Sequence, residues 1–351
     1  MTHPTSYRIS LLLCSVLAVS LAACSDDDGG AGGGGGVAGL GRGEFGIAAG
    51  LAELPQPEAE DEPLRISIAD VAAVSEANGL ELPDTVQDVD GDWLGPVTGS
   101  EDSVAMLSPP NGVVNLDQAA FAEATGFSWA QSDWFATVSS PPDDFAVYAG
   151  SPADADLSSI ATELDGGLLS IGEGEDYAPD LEGDLSVDEL GRPLRLAQER
   201  DRLATSLSTP MLEAWRDEQG DTLADDDSLA AVADTLDDAG VVSAVLQTLG
   251  EDADVPTVGV GWSVVDGDPQ VAVAYDLGSD DAADEAVAEI ESAYTDGSSA
   301  VTEQPYADLV PFDGAEAVGR VVVVRVAAEP GRVMVPLSML DQQDLPYLTG
   351  G

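Results

Sequence analysis

The sequence predicts an α+β fold: a mainly antiparallel sheet with covering helices, built from two duplicated strand-strand-helix-strand-strand units. Apolar residues alternate with period two on both sides of Pro/Asp turns, the pattern of a β-hairpin. Other segments repeat their apolar residues every three or four positions, the helical period. Two distant stretches also resemble each other in residue type and order, which points to an internal repeat.

Taken in order, the folded composition starts near Pro63. Ser67 predicts an N-cap with Asp70 at the third helical position, Ile68, Val71 and Ala72 as the apolar stripe and Gly79 as the stop. A second helix is expected from Asn115, with Gln118 reaching back, to Gly126. A third runs from Asp227 or Ser228 through Leu229, Val232 and Leu236 to Gly240. Phe135 to Gly150 predicts two strands around a turn at Pro141 to Asp144, and Gly261 to Asp276 predicts the same around Asp266 to Pro269. Each hairpin leads into an acidic loop and a helical stretch: Leu157, Ile160, Ala161 and Leu164 in one, Ala283, Val287 and Ile290 in the other.

The segments RLAQERDR (195–202) and RVAAEPGR (325–332) share the pattern R-[LV]-A-x-E-x-x-R. Each predicts a further hairpin, with turns at Gln198 to Asp201 and Glu329 to Gly331. The match continues through Leu203 with Val333, Leu207 with Leu337 and Ser208 with Ser338, and upstream Gly191-Arg192 corresponds to Gly319-Arg320. The copies span residues 134–208 and 258–338. An antiparallel sheet with one face under helix satisfies both periodicities.

Composition narrows the chemistry. The 351 residues include 67 Asp plus Glu against 11 basic residues, every one an arginine, giving a formal net charge of -56. Such a body repels phosphate backbones, so nucleic acid is excluded as a partner. Apolar residues make up 44% of the chain, enough for a sizeable core, but aromatics only 5%, so Val, Leu, Ala and Ile must do most of the packing. Eight arginines cluster in or near the matched regions: Arg192, Arg195, Arg200, Arg202, Arg216, Arg320, Arg325 and Arg332. Pairing with nearby carboxylates is their expected role.

The N-terminus carries an address. Arg8 precedes an apolar run from Ile9 to Ala23 that has the length and small-residue ending of a secretory signal. Its end, Leu21-Ala22-Ala23-Cys24, resembles the lipobox of bacterial lipoproteins. That resemblance implies removal of residues 1–23 and attachment of a diacylglycerol lipid, with palmitate-type chains, to Cys24. It places the protein on the outer face of the cell membrane, with the membrane itself as a partner through the anchor. Residues 24–62 follow as a Gly-rich acidic tether, then a first α+β half over 63–220 and a second over 221–351. Gly34, Gly36 and Gly39 satisfy G-x-G-x-x-G but have no strand before them, so they are assigned to the tether.

Loss of the leader removes His3 and Cys14 and leaves no His, no Lys and one acylated Cys. Ser-His-Asp and Cys-His machinery, Schiff-base chemistry, P-loops and His/Cys zinc sites then all lack their residues. No catalytic residues and no organic cofactor are expected. Carboxylates remain, with no pair standing out, and the aspartic-protease triplet D-[ST]-G is absent. A candidate Ca²⁺ site lies in DTVQDVDGDW, where Asp88, Asp90 and Asp92, with Asp84 nearby, flank Gly91. The EF-hand pattern fails there, because the first and twelfth loop positions fall on Val86 and Val97.

Three functions follow as expectations. The first is a non-catalytic exported protein that binds an exported or cell-envelope partner. The second is a transporter's solute-binding lipoprotein, whose cleft would draw on Trp129, Trp134 or Trp262. The third is a carboxylate-dependent hydrolase.

Overall fold

A computed structural model describes residues 45–57, 63–100, 103–110, 118–181, 187–188, 190–217, 220–250, 253–265, 268–327 and 331–348. Along the chain the elements are α1 (Ile47–Leu51), β1 (Arg65–Asp70), α2 (Val71–Ala77), α3 (Gly91–Val97), α4 (Gln118–Thr125), β2 (Ser132–Ser140), β3 (Asp143–Gly150), β4 (Thr162–Glu163), β5 (Leu169–Ile171), β6 (Leu194–Glu199), β7 (Arg202–Ser206) and α5 (Thr209–Arg216). They continue as α6 (Asp227–Asp238), β8 (Ser243–Thr248), β9 (Thr257–Val265), β10 (Asp268–Asp276), α7 (Asp280–Asp296), α8 (Tyr306–Leu309), β11 (Phe312–Val318), β12 (Val321–Ala327) and α9 (Val335–Asp341). The fold is α+β. Among the described residues its centre is one twelve-stranded sheet in the order β11-β12-β10-β9-β8-β1-β2-β3-β7-β6-β5-β4, every ladder antiparallel.

Both faces of this sheet are buried, not one. Ile66, Ile68, Trp134, Ala136, Val147, Leu246 and Val323 point to a core shared with α1, α5 and α6. On the opposite side Phe135, Tyr148, Val245, Trp262, Val273 and Val324 meet α2, α3, α4, α7 and α9. The unbroken apolar run Val321 to Val324 is what a strand covered on both faces requires. Helix α6 lies close because the strands beneath it carry Gly259, Gly261, Ala272 and Ala274 on that side. A Cβ on Gly259 would stand 2.8 Å from Val232 Cγ1 and 3.0 Å from Leu236 Cδ1.

Several expected elements are present. Hairpins form at Pro141-Pro142, between β9 and β10, and at Arg200-Asp201. Helix α6 begins on Asp226, whose carboxylate accepts from the Ser228 and Leu229 amides, and α7 buries Ala283 and Ile290. The expected helix ending at Gly126 is described from Gln118, and Asn115 lies outside the described residues.

Four expectations are corrected. Ser67 does not cap a helix: Arg65–Asp70 is the central strand β1, since Ile66 and Ile68 face one core while Ala69 faces the other, and Asp70 caps α2 by accepting from Ala73 N. The stretch from Leu157 to Leu164 makes one 3₁₀ turn, capped by Asp156, and then edge strand β4. Two serines and a threonine weaken its helix propensity. Among the described residues no strand follows Gly331: Val335–Asp341 forms α9 with Pro336 in its first turn, where the missing N–H does no harm. Part of the expected tether is folded, because Ile47, Leu51 and Leu54 are buried and Asp237 accepts the amides of Ile47 (2.6 Å) and Ala48 (3.0 Å).

These changes bear on the repeat. Outward from the β1–β8 ladder the order reads β1-β2-β3-β7-β6 one way and β8-β9-β10-β12-β11 the other. Yet RLAQERDR lies on β6 and its turn, whereas RVAAEPGR leaves the end of β12, which occupies the place of β7. The matched segments therefore sit at different positions in the two runs.

Gly259→Ala is expected to destabilise the protein by about 1–3 kcal/mol through overpacking against α6. Gly91→Ala, whose Cβ meets nothing within 4 Å, should leave stability unchanged or raise it. Urea unfolding of the two variants beside the parent checks this.

Candidate functional site

Of the residues singled out from sequence, Cys24 lies outside the described residues. Asp88, Asp90 and Asp92 are exposed at the start of α3 and serve local structure. Asp88 accepts from the amide and hydroxyl of Thr85 in a capping box, and Asp90 caps α3 by accepting from the amides of Asp92 (2.9 Å) and Trp93 (3.2 Å). Among the described residues no three His, Cys, Asp or Glu side chains converge as a metal-binding group. Trp129, Trp134 and Trp262 are buried in the two cores and line neither of the cavities described below.

The arginines are largely spent on carboxylates. Arg320 donates to Asp276 through Nε (2.6 Å) and Nη2 (2.8 Å), and Asp276, itself fully buried, also receives the Ser228 hydroxyl. Arg202 pairs with buried Glu53, and buried Arg195 donates to Asp176 (2.8 Å). Asp176 accepts in addition from the Thr209 amide and hydroxyl at the start of α5, so it is a fixed part of the fold and not a solvated loop acid. Arg65 with Asp341, Arg216 with Glu199 and Arg325 with Glu316 complete the surface pairs around the sheet.

Two cavities offer room for a ligand. The first, about 350 Å³, lies over β2, β3 and β7. Thr137, Ala146, Tyr148 and Thr205 form its floor, and Pro110, Phe121, Val187, Leu190, Leu194 and Leu207 its apolar walls. Its polar groups are unequal. Asp188 accepts from Arg192 Nε (3.0 Å) and Nη2 (2.8 Å) and from the amides of Leu190 and Arg192. Burial works to raise its pKa, but the Arg192 hydrogen bonds and charge together hold it below the ordinary aspartate value. Asp144 goes the other way: burial raises it, the Ser139 hydroxyl and Arg192 offset only part, and Asp143 and Asp188 push it further up. Tyr148, hydrogen-bonded to Thr205, is kept neutral by burial.

The second cavity, about 580 Å³, lies between α7, Leu249 with Ala253 to Val255, and the 340–348 segment. Its inner wall is pinned by buried Asp344, which accepts from the Ser299 hydroxyl, the Ala300 amide (2.8 Å) and the Tyr306 hydroxyl (3.2 Å). Tyr275 ties the same segment down by donating to Pro346 O (2.9 Å). No protein-family model, curated protein or solved structure matches the chain.

Neither cavity was legible beforehand, because each gathers residues from segments far apart in sequence. Arg192 stood out as part of the repeat and as one of the arginines expected to pair with a carboxylate, which it does with Asp188, and Asp144 only as a turn residue.

The two acids of the first cavity should respond oppositely to pH. At neutral pH Asp144 carries a charge that burial disfavours, so Asp144→Asn is expected to raise stability. That gain disappears as pH falls below the ordinary aspartate range, where folded and unfolded chains are both protonated. Asp188→Asn should cost about 1.5–3 kcal/mol at neutral pH, the worth of its charged hydrogen bonds. Its deficit vanishes as pH drops through the depressed folded-state value. Urea midpoints across the acid range read both signs.

Proposed function

We propose that this chain is a lipid-anchored exported binding protein without a catalytic role, and that the cavity over β2, β3 and β7 takes a small amphiphilic ligand. The carrying observation is the make-up of that cavity: apolar walls around a fixed Asp188–Arg192 pair and a second carboxyl, Asp144, whose pKa burial raises. A site of this kind can hold a neutral polar head by hydrogen bonds while its walls bury an apolar body. It lacks the imidazole, amine and thiol that general-base and nucleophilic mechanisms most often use.

In this reading the lipobox Leu21-Ala22-Ala23-Cys24 supplies attachment; among the described residues no helix is long and apolar enough to cross a membrane. A cell-envelope protein is the partner such a tethered body would meet. The doubled strand order supports a body that arose by duplication, even though the matched arginine segments occupy different strands.

A solute-binding lipoprotein is the second reading, favoured by the same cavity. One continuous antiparallel sheet in place of two lobes of parallel strands weighs against it.

Two experiments bear on this reading. Cys24→Ser expressed in a bacterial host should move the protein from the membrane to the soluble exported fraction, and partition as strong as the parent's would overturn the anchor. Separately, a neutral medium-chain amide such as octanamide should raise the melting temperature of the parent by a few degrees. Leu190→Arg, placed at the half-exposed mouth of the cavity, should abolish that rise. An equal rise in both proteins would sink the assignment of the ligand to this cavity.

A further inference from the structure

The second cavity points to a different ligand, in a place that the reading above does not use. Its floor is apolar and buried: Leu340 and Tyr306 lie beneath, with Val255 at one side and Ala293 at the other. Its mouth is acidic. Asp254, on the connection before β9, and Glu289, on the outer side of α7, are both exposed and both line the opening. Among the described residues no arginine lines it, and the chain contains no lysine. Unlike Asp188 in the first cavity, these carboxylates form no ion pair among the described residues to neutralise them.

Aromatic surface sits between floor and mouth. Tyr347 is half-buried and is held at φ +76°, a backbone conformation that a bulky L-residue rarely adopts, with Gln343 beside it at φ +53°. Burial raises the Tyr347 hydroxyl pKa, and the charges of Glu289 and Asp254 raise it further, as expected if both acids act on the space that its ring borders. A carboxylate pair beside tyrosine rings and above an apolar floor matches a cation that carries a hydrocarbon body: the ammonium rests at the mouth against the acids and rings, and the tail fills the cavity. A bare metal ion fits poorly, since no third acidic ligand converges with these two among the described residues. The overall charge of -56 would draw such cations toward the protein from a distance.

We propose that the cavity bounded by Asp254, Glu289, Tyr306 and Tyr347 binds organic cations of the alkylammonium class, tail inward. The probe is n-octyltrimethylammonium below its micelle concentration, titrated into the folded protein by calorimetry and followed by NMR shifts. Octanoate and octan-1-ol serve as its anionic and neutral counterparts. The parent should bind the ammonium compound at least tenfold more tightly than either counterpart. Asp254→Asn with Glu289→Gln should weaken it at least tenfold. Asp284→Asn with Glu285→Gln, which removes the same charge from exposed positions on α7 outside the cavity, should leave it unchanged. Circular dichroism melts confirm that each variant is folded. Equal weakening by both double variants would mean diffuse attraction to an acidic surface and would overturn the site. So would octan-1-ol binding as tightly as the cation, or no saturable binding by the parent. Leu190→Arg, in the other cavity, should not alter this titration, so failure of one site is distinguishable from failure of the other.

Discussion

The ladder between β1 and β8 holds the sheet in one piece. β1 pairs with β2 on one side and β8 on the other, so it joins the run β2-β3-β7-β6 to the run β9-β10-β12-β11. Its alternation of Ile66 and Ile68 with Ser67 and Ala69 serves both cores at once. The helix α1 then rests directly on Ile68, close enough that a Cβ on Gly50 would stand 2.5 Å from Ile68 Cγ2. Because β1 is paired with strands remote in sequence, much of the sheet depends on contacts that local propensity cannot form by itself.

Around that sheet the protein has to manage a large excess of carboxylates. Many are placed where a negative charge is useful. Asp90, Asp156 and Asp226 accept amides at helix starts, where the peptide dipoles favour an anion. The most deeply buried acids are paired or hydrogen-bonded: Asp276 with Arg320, Glu53 with Arg202, Asp344 with Ser299 and Tyr306. Removing one partner from such a buried pair typically costs about 3–5 kcal/mol, since the other charge is left without compensation. The described arginines thus have a disproportionate part in the architecture of so acidic a chain.

Much of the fold was legible in the sequence where the signal is local. The turn at Pro141-Pro142, the hairpin β9–β10 and helices α6 and α7 follow from period, capping residues and stop glycines that lie within a few positions of one another. What escaped was tertiary. β1 carries a plausible helix start, Ser67 with Asp70, and becomes a strand only because both its faces find a core. The arginine match led toward a hairpin at Glu329 to Gly331, yet the turn that joins the last two strands is at Gly319, with its positive φ. The cavities escaped for the same reason: Phe121, Tyr148, Arg192 and Leu207 meet only after the sheet has formed. Asp88 and Asp90 drew attention as metal ligands, although each already has an amide to accept.

The two borders of the sheet carry a consequence for how copies of this chain meet when they are crowded. One border strand, β4, has only two residues; the other, β11, is interrupted by an irregularity between Phe312 and Gly314 and turns Asp313 and Glu316 outward. Neither presents the long, straight, apolar row of free backbone groups that nucleates fibre growth. Copies crowded side by side therefore meet acidic side chains and broken register, and a sheet of this width can be concentrated without zipping into its neighbours.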